Sequence, residues 1–375
     1  MRLPLFQLEQ WIERYGDAVR YNLAMSTGPK WTLMELRELM TDAERDALDR
    51  AALTYCPGSG REPLRAAIAS MYGADPNEIQ IFTGGAEALL SLFFLAAEPG
   101  ANVVVPWPSF PPFVALPEAL GLETRRYPLT QENGFEVDAE AISRLCDSRT
   151  KLILVNSPHN PSGAVVEEET IRALDAFASQ RGIALVMDEV YHPIYHGETR
   201  RSAGEYSGAS VLGDFSKAFS LPGLRVGWLL EREPARRAAL ANARGYWTVS
   251  SNVLGEMLAE AAVRHRERVW KRTQAVSAKN LAMLDEWCAA HEGQIERLRP
   301  RGSTTAFPRL RGERDARPFC LAAAERGALI VPGDCFGMPA HFRIGFGAEM
   351  PSYADALSVL SEALEASWTL ARASR

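Results

Sequence analysis

Lys217 stands in a stretch that could turn a lysine to covalent chemistry. The segment Val211-Leu-Gly-Asp-Phe-Ser-Lys-Ala-Phe-Ser-Leu-Pro-Gly-Leu-Arg-Val-Gly-Trp228 surrounds it with apolar and small residues. Removing water from an ammonium group lowers its pKa, and the free amine is then a nucleophile and a base. Such a lysine suits Schiff-base formation. Arg225 follows just past a Pro-Gly turn and could clamp a phosphate beside it.

Other polar residues fall at the ends of apolar runs. Ile79–Phe82 leads into Thr83-Gly-Gly-Ala-Glu87 and then a helical pattern. Gly84 and Gly85 permit a tight turn, and the free N–H groups of a helix start would make a phosphate cup. Many strand–helix turns carry Gly-Gly, so this loop alone is ambiguous. Ile183–Met187 runs into Asp188-Glu-Val-Tyr191. A carboxylate there needs a cation or a strong donor to stay ionised; capping a helix is its ordinary alternative. Lys151–Val155 leads into Asn156-Ser-Pro-His-Asn-Pro-Ser-Gly163, where two prolines and a glycine fix a loop able to aim the Asn160 amide.

The elements that must position these residues alternate. Leu64–Tyr72 and Ala86–Ala96 have helical spacing. Ile79–Phe82, Asn102–Val105, Lys151–Val155, Ile183–Met187 and Val226–Leu230 read as strands, most of them continuous apolar runs buried on both faces. The pattern predicts an α/β fold, a mostly parallel sheet covered by helices. In such sheets ligands bind beyond the carboxyl ends of the strands, where the polar residues fall. Beyond about residue 255, a long helix is expected from Val263 to Ala289. A short sheet is expected from 299–308, 328–331 and 341–346, then a terminal helix from Tyr353. The division predicted is a large domain over 45–260 and a smaller α+β domain from 1–44 and 261–375, with the N-terminal residues on the smaller lobe or over the cleft.

Taken jointly, His159-Asn-Pro-Ser-Gly163, Asp188-Glu-Val-Tyr191 and Ser216-Lys217 with Arg225 resemble, in order and spacing, the signature of fold-type-I pyridoxal-phosphate-dependent class I/II aminotransferases. The resemblance covers nearly the whole chain. It implies the seven-stranded sheet of that fold and pyridoxal 5'-phosphate as cofactor. It implies that Lys217 forms the Schiff base and later shuttles the Cα proton, and that Asp188 pairs with the pyridinium nitrogen. Asn160 and Tyr191 would bond the phenolic oxygen. The Gly85-Ala86-Glu87 backbone and Arg225 would hold the phosphate, and Phe110 would stack on the ring. Tyr55, in Thr54-Tyr-Cys-Pro-Gly-Ser-Gly60, would reach the phosphate of a neighbouring subunit, which implies a homodimer with shared sites. Arg343, in His341-Phe-Arg-Ile-Gly-Phe346, would grip the substrate carboxylate.

The chain departs from the pattern three positions before the lysine. The family usually has Ser or Thr there, donating to the phosphate; here it is Asp214. A carboxylate facing a phosphate is repelled, so Asp214 is expected to point away, be protonated or serve another ligand, as a specificity or tuning residue among those of the cofactor site. Leu8-Glu-Gln-Trp11, Ser26-Thr-Gly28 and Trp31–Leu36 resemble a branch that also holds capreomycidine-synthase-like enzymes. These use the same cofactor to eliminate a hydroxyl from a hydroxylated arginine and cyclise it. In that setting Glu9 would meet a cationic side chain, its ordinary alternative being a solvated helix face. Thr27 and Gly28 would contact the substrate near its carboxylate.

Composition narrows the partners. The 375 residues carry a net charge of -6 and 47% hydrophobic residues, the profile of a globular enzyme without a nucleic-acid surface. Five dispersed cysteines fit reduced thiols, and the first residues lack the long apolar core of a signal peptide. A cytoplasmic enzyme is expected, with no membrane partner. Pro193 between His192 and His196 argues against a shared helix face and a metal site. The leading reading is amino transfer from an L-amino acid to a 2-oxo acid; the alternative is elimination and cyclisation. A cofactor-binding DNA regulator is disfavoured, because no basic segment precedes the fold. A nicotinamide-type Rossmann enzyme is disfavoured because no G-x-G-x-x-G follows an early strand.

Overall fold

The computed structural model describes residues 2–373, with side chains through residue 367. Its largest sheet has seven strands in the spatial order Ile79–Phe82, Gly227–Leu230, Ser210–Asp214, Ala184–Asp188, Thr150–Asn156, Asn102–Trp107 and Glu123–Pro128. Only Gly227–Leu230 runs antiparallel to its neighbours. The other pairings are parallel.

The central strands are fully enclosed: Ile153, Leu154, Val155, Val186 and Met187 are all inaccessible to solvent. Helix Gly85–Ala96 packs Ala88, Leu89, Leu92 and Phe93 into the same apolar core as Val103, Val105, Leu154 and Val186. This is why the sequence lacks strand-like alternation there: both faces are covered. Two strands escape the sequence reading. Glu123–Pro128 is an edge strand whose charged residues reach solvent. Ser210–Asp214 is short and leads directly into the lysine segment.

The chain beyond residue 250 differs from expectation at one point. Val263 to Ala289 is not one helix. Val253–Arg264 and Arg266–Ala290 break at His265, whose backbone leaves the helical region at φ -106 and ψ 22. Its imidazole meets Glu44 at 3.1 Å. Thr305–Ala306, Phe342–Gly345 and Val331–Pro332 form the expected short sheet. Ala328–Leu329 instead pairs in parallel with Tyr21–Asn22. That ladder, and the Trp11 indole donating to the Ile330 carbonyl at 2.9 Å, fix the N-terminal segment against the C-terminal part of the chain. The terminal helix spans Tyr353–Ala373. Among the described residues no helix is long and apolar enough to cross a membrane.

Candidate active site

A cavity of about 430 Å³ opens at the carboxyl ends of the parallel strands. Its wall includes Lys217, Asp188, Tyr191, Asn160, Arg225 and Arg343. The structure thus brings together six residues separated by up to 183 positions in the chain.

Strand Ala184–Asp188 ends at the cavity floor. Asp188 is buried, and among the described residues its Oδ1 accepts only from the Val190 N–H, at 3.2 Å. Burial pushes its carboxyl up to about 7; the Val190 bond opposes this, Asp214 adds to it, and Lys217 opposes it. A group in this state would be relieved by a cation placed against it.

The loop after Thr150–Asn156 is stitched from within. The Asn156 amide donates to the Asp188 carbonyl at 3.0 Å, and its oxygen accepts from the Asn160 N–H at 2.8 Å. His159 bridges Ser162 and the Pro108 carbonyl at 2.7 and 3.0 Å. Burial pushes this imidazole down to about 4, so it is a neutral strut. The loop carries the Asn160 amide oxygen to Arg343 Nη1, at 3.1 Å.

Arg343 comes from strand Phe342–Gly345 and is 2% exposed. Its Nη2 donates to the Ala24 carbonyl at 2.8 Å, Phe336 lies against the guanidinium, and Nε has no partner among the described residues. Among the described residues no carboxylate lies within ion-pair distance of it. Glu9, on helix Gln7–Tyr15, lines the same cavity and is near enough for its charge to act on the guanidinium.

Helix Gly85–Ala96 points its N-terminus at the cavity, with Gly84 at φ 79 as its cap. At this positive φ a side chain would be strained, and a Cβ there would stand 2.5 Å from Arg225 Nη2, so glycine also leaves room for the guanidinium. The Glu87 side chain turns back to accept from the Thr83 N–H at 2.5 Å and the Thr248 hydroxyl at 2.6 Å, leaving only its backbone for the cup. Asp214 does not point away. Its Oδ2 accepts from the Gly85 N–H at 2.6 Å, and its Oδ1 from the Ser216 N–H. The donors of the cup itself draw the carboxylate in.

Lys217 Nζ donates to Ser26 Oγ at 2.7 Å. Ser26 and Thr27 line the cavity, whereas Gly28 is buried behind it, where its Cα faces Thr273 and Ser220. Phe110 forms part of the wall and packs edge-on against Phe113. Tyr55 is not brought into this cavity; it is 81% exposed on a surface loop. Sequence reasoning passed over Ser26 as a lysine partner and Asn156 as the loop's anchor. The Asn156 signal was available in its place directly after an apolar strand. Nothing local marks Ser26.

The Tyr191 hydroxyl also faces this cavity, is fully buried and has no partner among the described residues. A buried polar group left unpaired costs about 1–3 kcal/mol. Tyr191→Phe should therefore raise the melting temperature of the ligand-free protein. A lower melting temperature would mean that the hydroxyl has a partner within the protein.

Comparison with known proteins adds four observations. The family model "Aminotransferase class I and II" matches residues 30–357. Capreomycidine synthase of Streptomyces vinaceus is 35% identical over 96% of this chain and 94% of its own length. Among solved structures, a PLP-dependent aminotransferase from Streptococcus suis superposes with a TM-score of 0.91 at 28% identity, covering 98% and 99% of the two chains. The PLP-dependent cyclase OrfR superposes with a TM-score of 0.87 at 29% identity, covering 98% of each.

Proposed function

The chain belongs to the class I and II aminotransferase family, and from that membership we propose that it transfers the amino group of an L-amino acid to a 2-oxo acid, using pyridoxal phosphate carried on Lys217. It is a pyridoxal-phosphate enzyme, and the residues around the cavity fit that group. Among the described residues Asp188 has no ion-pair partner and the Tyr191 hydroxyl has no hydrogen-bond partner, and the Arg225 guanidinium borders a helix N-terminus.

When bound, pyridoxal phosphate supplies an electron sink that acidifies the Cα–H bond of the amino acid. The protein positions and charges everything around it. The Ala86 and Glu87 N–H groups, the Ser216 hydroxyl and Arg225 would hold the phosphate. Asp188 would keep the ring nitrogen protonated. Asn160 and Tyr191 would donate to the phenolic oxygen, and Phe110 would cover the ring. Lys217 Nζ would hold the group covalently and, once freed, take the proton from Cα.

The observation that carries the substrate reading is Arg343, a buried guanidinium without a carboxylate partner among the described residues. It suits a two-pronged contact to an α-carboxylate. The test is single turnover. An amino acid added without an oxo acid should yield one equivalent of its 2-oxo acid per subunit and then stop. Failure of every amino acid to do so would overturn the reading.

A second reading, elimination and cyclisation of a hydroxylated arginine, is favoured by one feature: Glu9 lines the cavity that Arg343 closes. Such a substrate would place its carboxylate on Arg343 and its cationic end toward Glu9. Glu9→Gln should then raise KM for arginine-type substrates about tenfold while leaving KM for neutral amino acids unchanged, since a hydrogen bond to a charged group contributes about 1.5–3 kcal/mol. An unchanged KM for arginine-type substrates would remove the support for this reading. Turnover with release of water and no oxo acid would establish it over amino transfer.

The same proposal includes a homodimer in which the exposed Tyr55 reaches the partner's phosphate cup. It includes a cofactor-binding domain over 45–260, with 1–44 and 261–375 forming the smaller one, and a cytoplasmic setting in keeping with five free cysteines.

A further inference from the structure

We propose that Asp214 is an internal anion that competes with the cofactor's phosphate for the first turn of helix Gly85–Ala96, and so loosens the enzyme's grip on the phosphate end. The inference rests on the pyridoxal-phosphate reading and concerns how this chain holds that group.

The geometry is specific. Asp214 ends strand Ser210–Asp214, three residues before Lys217. Its two oxygens take the N–H groups of Gly85 and Ser216, both of which face the cup. A Cβ on Gly84 would lie 2.5 Å from Arg225 Nη2 and 3.5 Å from Asp214 Oδ2, so the guanidinium and the carboxylate border one space. Of the other charged groups on the cavity wall, Asp188, Lys217 and Arg225 belong to the floor and cup, while Glu9 and Arg343 belong to the side described above. Two carboxylates therefore share the cup and floor with two cations. A phosphate entering this space meets two N–H groups already taken, those of Gly85 and Ser216, and a negative charge at the helix start, where an anion would otherwise gain most.

The consequence falls on one stage of turnover. While the cofactor is bonded to Lys217, a loose phosphate grip changes little. Once the cofactor has accepted the amino group, that bond is gone, and only non-covalent contacts retain it. Asp214 then makes the amine form exchangeable with solvent.

The test measures binding to the cofactor-free protein, not turnover. Pyridoxamine phosphate, pyridoxamine without phosphate, and inorganic phosphate are titrated into wild type, Asp214→Ser and Asp214→Asn, followed by protein fluorescence. Removing one repelling charge is expected to tighten pyridoxamine phosphate about tenfold or more in both variants, which corresponds to about 1.4 kcal/mol. Inorganic phosphate should tighten in parallel, and pyridoxamine should not change. The Asn variant keeps the shape of the side chain, so agreement between the two assigns the effect to charge. Equal or weaker binding of pyridoxamine phosphate by both variants, with melting curves showing them folded, overturns the proposal while leaving the cofactor assignment intact. A wild type that binds neither pyridoxamine phosphate nor pyridoxal phosphate overturns both.

Discussion

Lys217→Ala is expected to fold, to retain its cavity, and to lose at least about 10⁴-fold in turnover. Two functions disappear together. The variant cannot hold the cofactor covalently, so the visible absorbance of the lysine-bound form is absent. It also lacks the base that would move the Cα proton, and a positioned general base alone contributes about 10²–10⁴-fold. The site tolerates the truncation because the side chain is only partly buried and, among the described residues, its Nζ makes one hydrogen bond, to Ser26 at 2.7 Å. The hydroxyl that loses this partner lies on the cavity wall. Asp188 should be pushed further up, since Lys217 is the cation that now opposes its rise. Two measurements decide: the absorbance spectrum with added cofactor, and the rate of Cα-proton exchange in heavy water. A variant that retains both the band and the exchange would show that another group carries the chemistry.

Residues placed at the end of a strand were legible in the sequence, because the carboxyl ends of parallel strands face the cleft. Asp188 and Asn160 follow the apolar runs of such strands, and both reach the cavity. Lys217 and Arg225 were legible by their shared tract, and both line it too. What could not be read was distance across the chain. Ser26 meets Lys217 across 191 positions, and Ala24 meets Arg343 across 319. These contacts exist because Tyr21–Asn22 pairs with Ala328–Leu329, a two-residue ladder too short to leave a periodic signal. Asp214 was left open for a different reason. Repulsion from a phosphate allowed it to turn away, be protonated or serve another ligand, and only the structure shows that the Gly85 and Ser216 N–H groups hold it at the cup. The break at His265 was hidden because the charge-rich pattern continues across it; a single residue's backbone angles decide the kink.

Asp188→Asn should change stability and activity in opposite directions. In the cofactor-free protein, burial pushes the Asp188 carboxyl from its ordinary 3.8 up to about 7. Between these values the folded state keeps a proton that the unfolded state releases. Stability rises with pH only where the unfolded state binds more protons, so here it falls as pH climbs from about 4 to about 7. Above that window the folded protein bears a desolvated charge. Asparagine can still accept from the Val190 N–H and cannot ionise. The variant should therefore melt above wild type at pH 8 without cofactor, and the two should converge below pH 4. Glu189 is also pushed up to about 7 by burial, but it is present in both proteins, so the difference between their curves belongs to Asp188. With cofactor bound, the sign reverses. The charge that burdens the empty site is the one that would hold the ring nitrogen protonated, and losing one preorganised electrostatic partner costs about 10²–10³-fold in turnover. Cofactor should also flatten the pH dependence of wild-type melting and leave that of the variant unchanged. A variant less stable than wild type at pH 8, with full activity, would make Asp188 a structural carboxylate. A gain in stability joined to a loss of activity is what a residue placed for a bound cation must show.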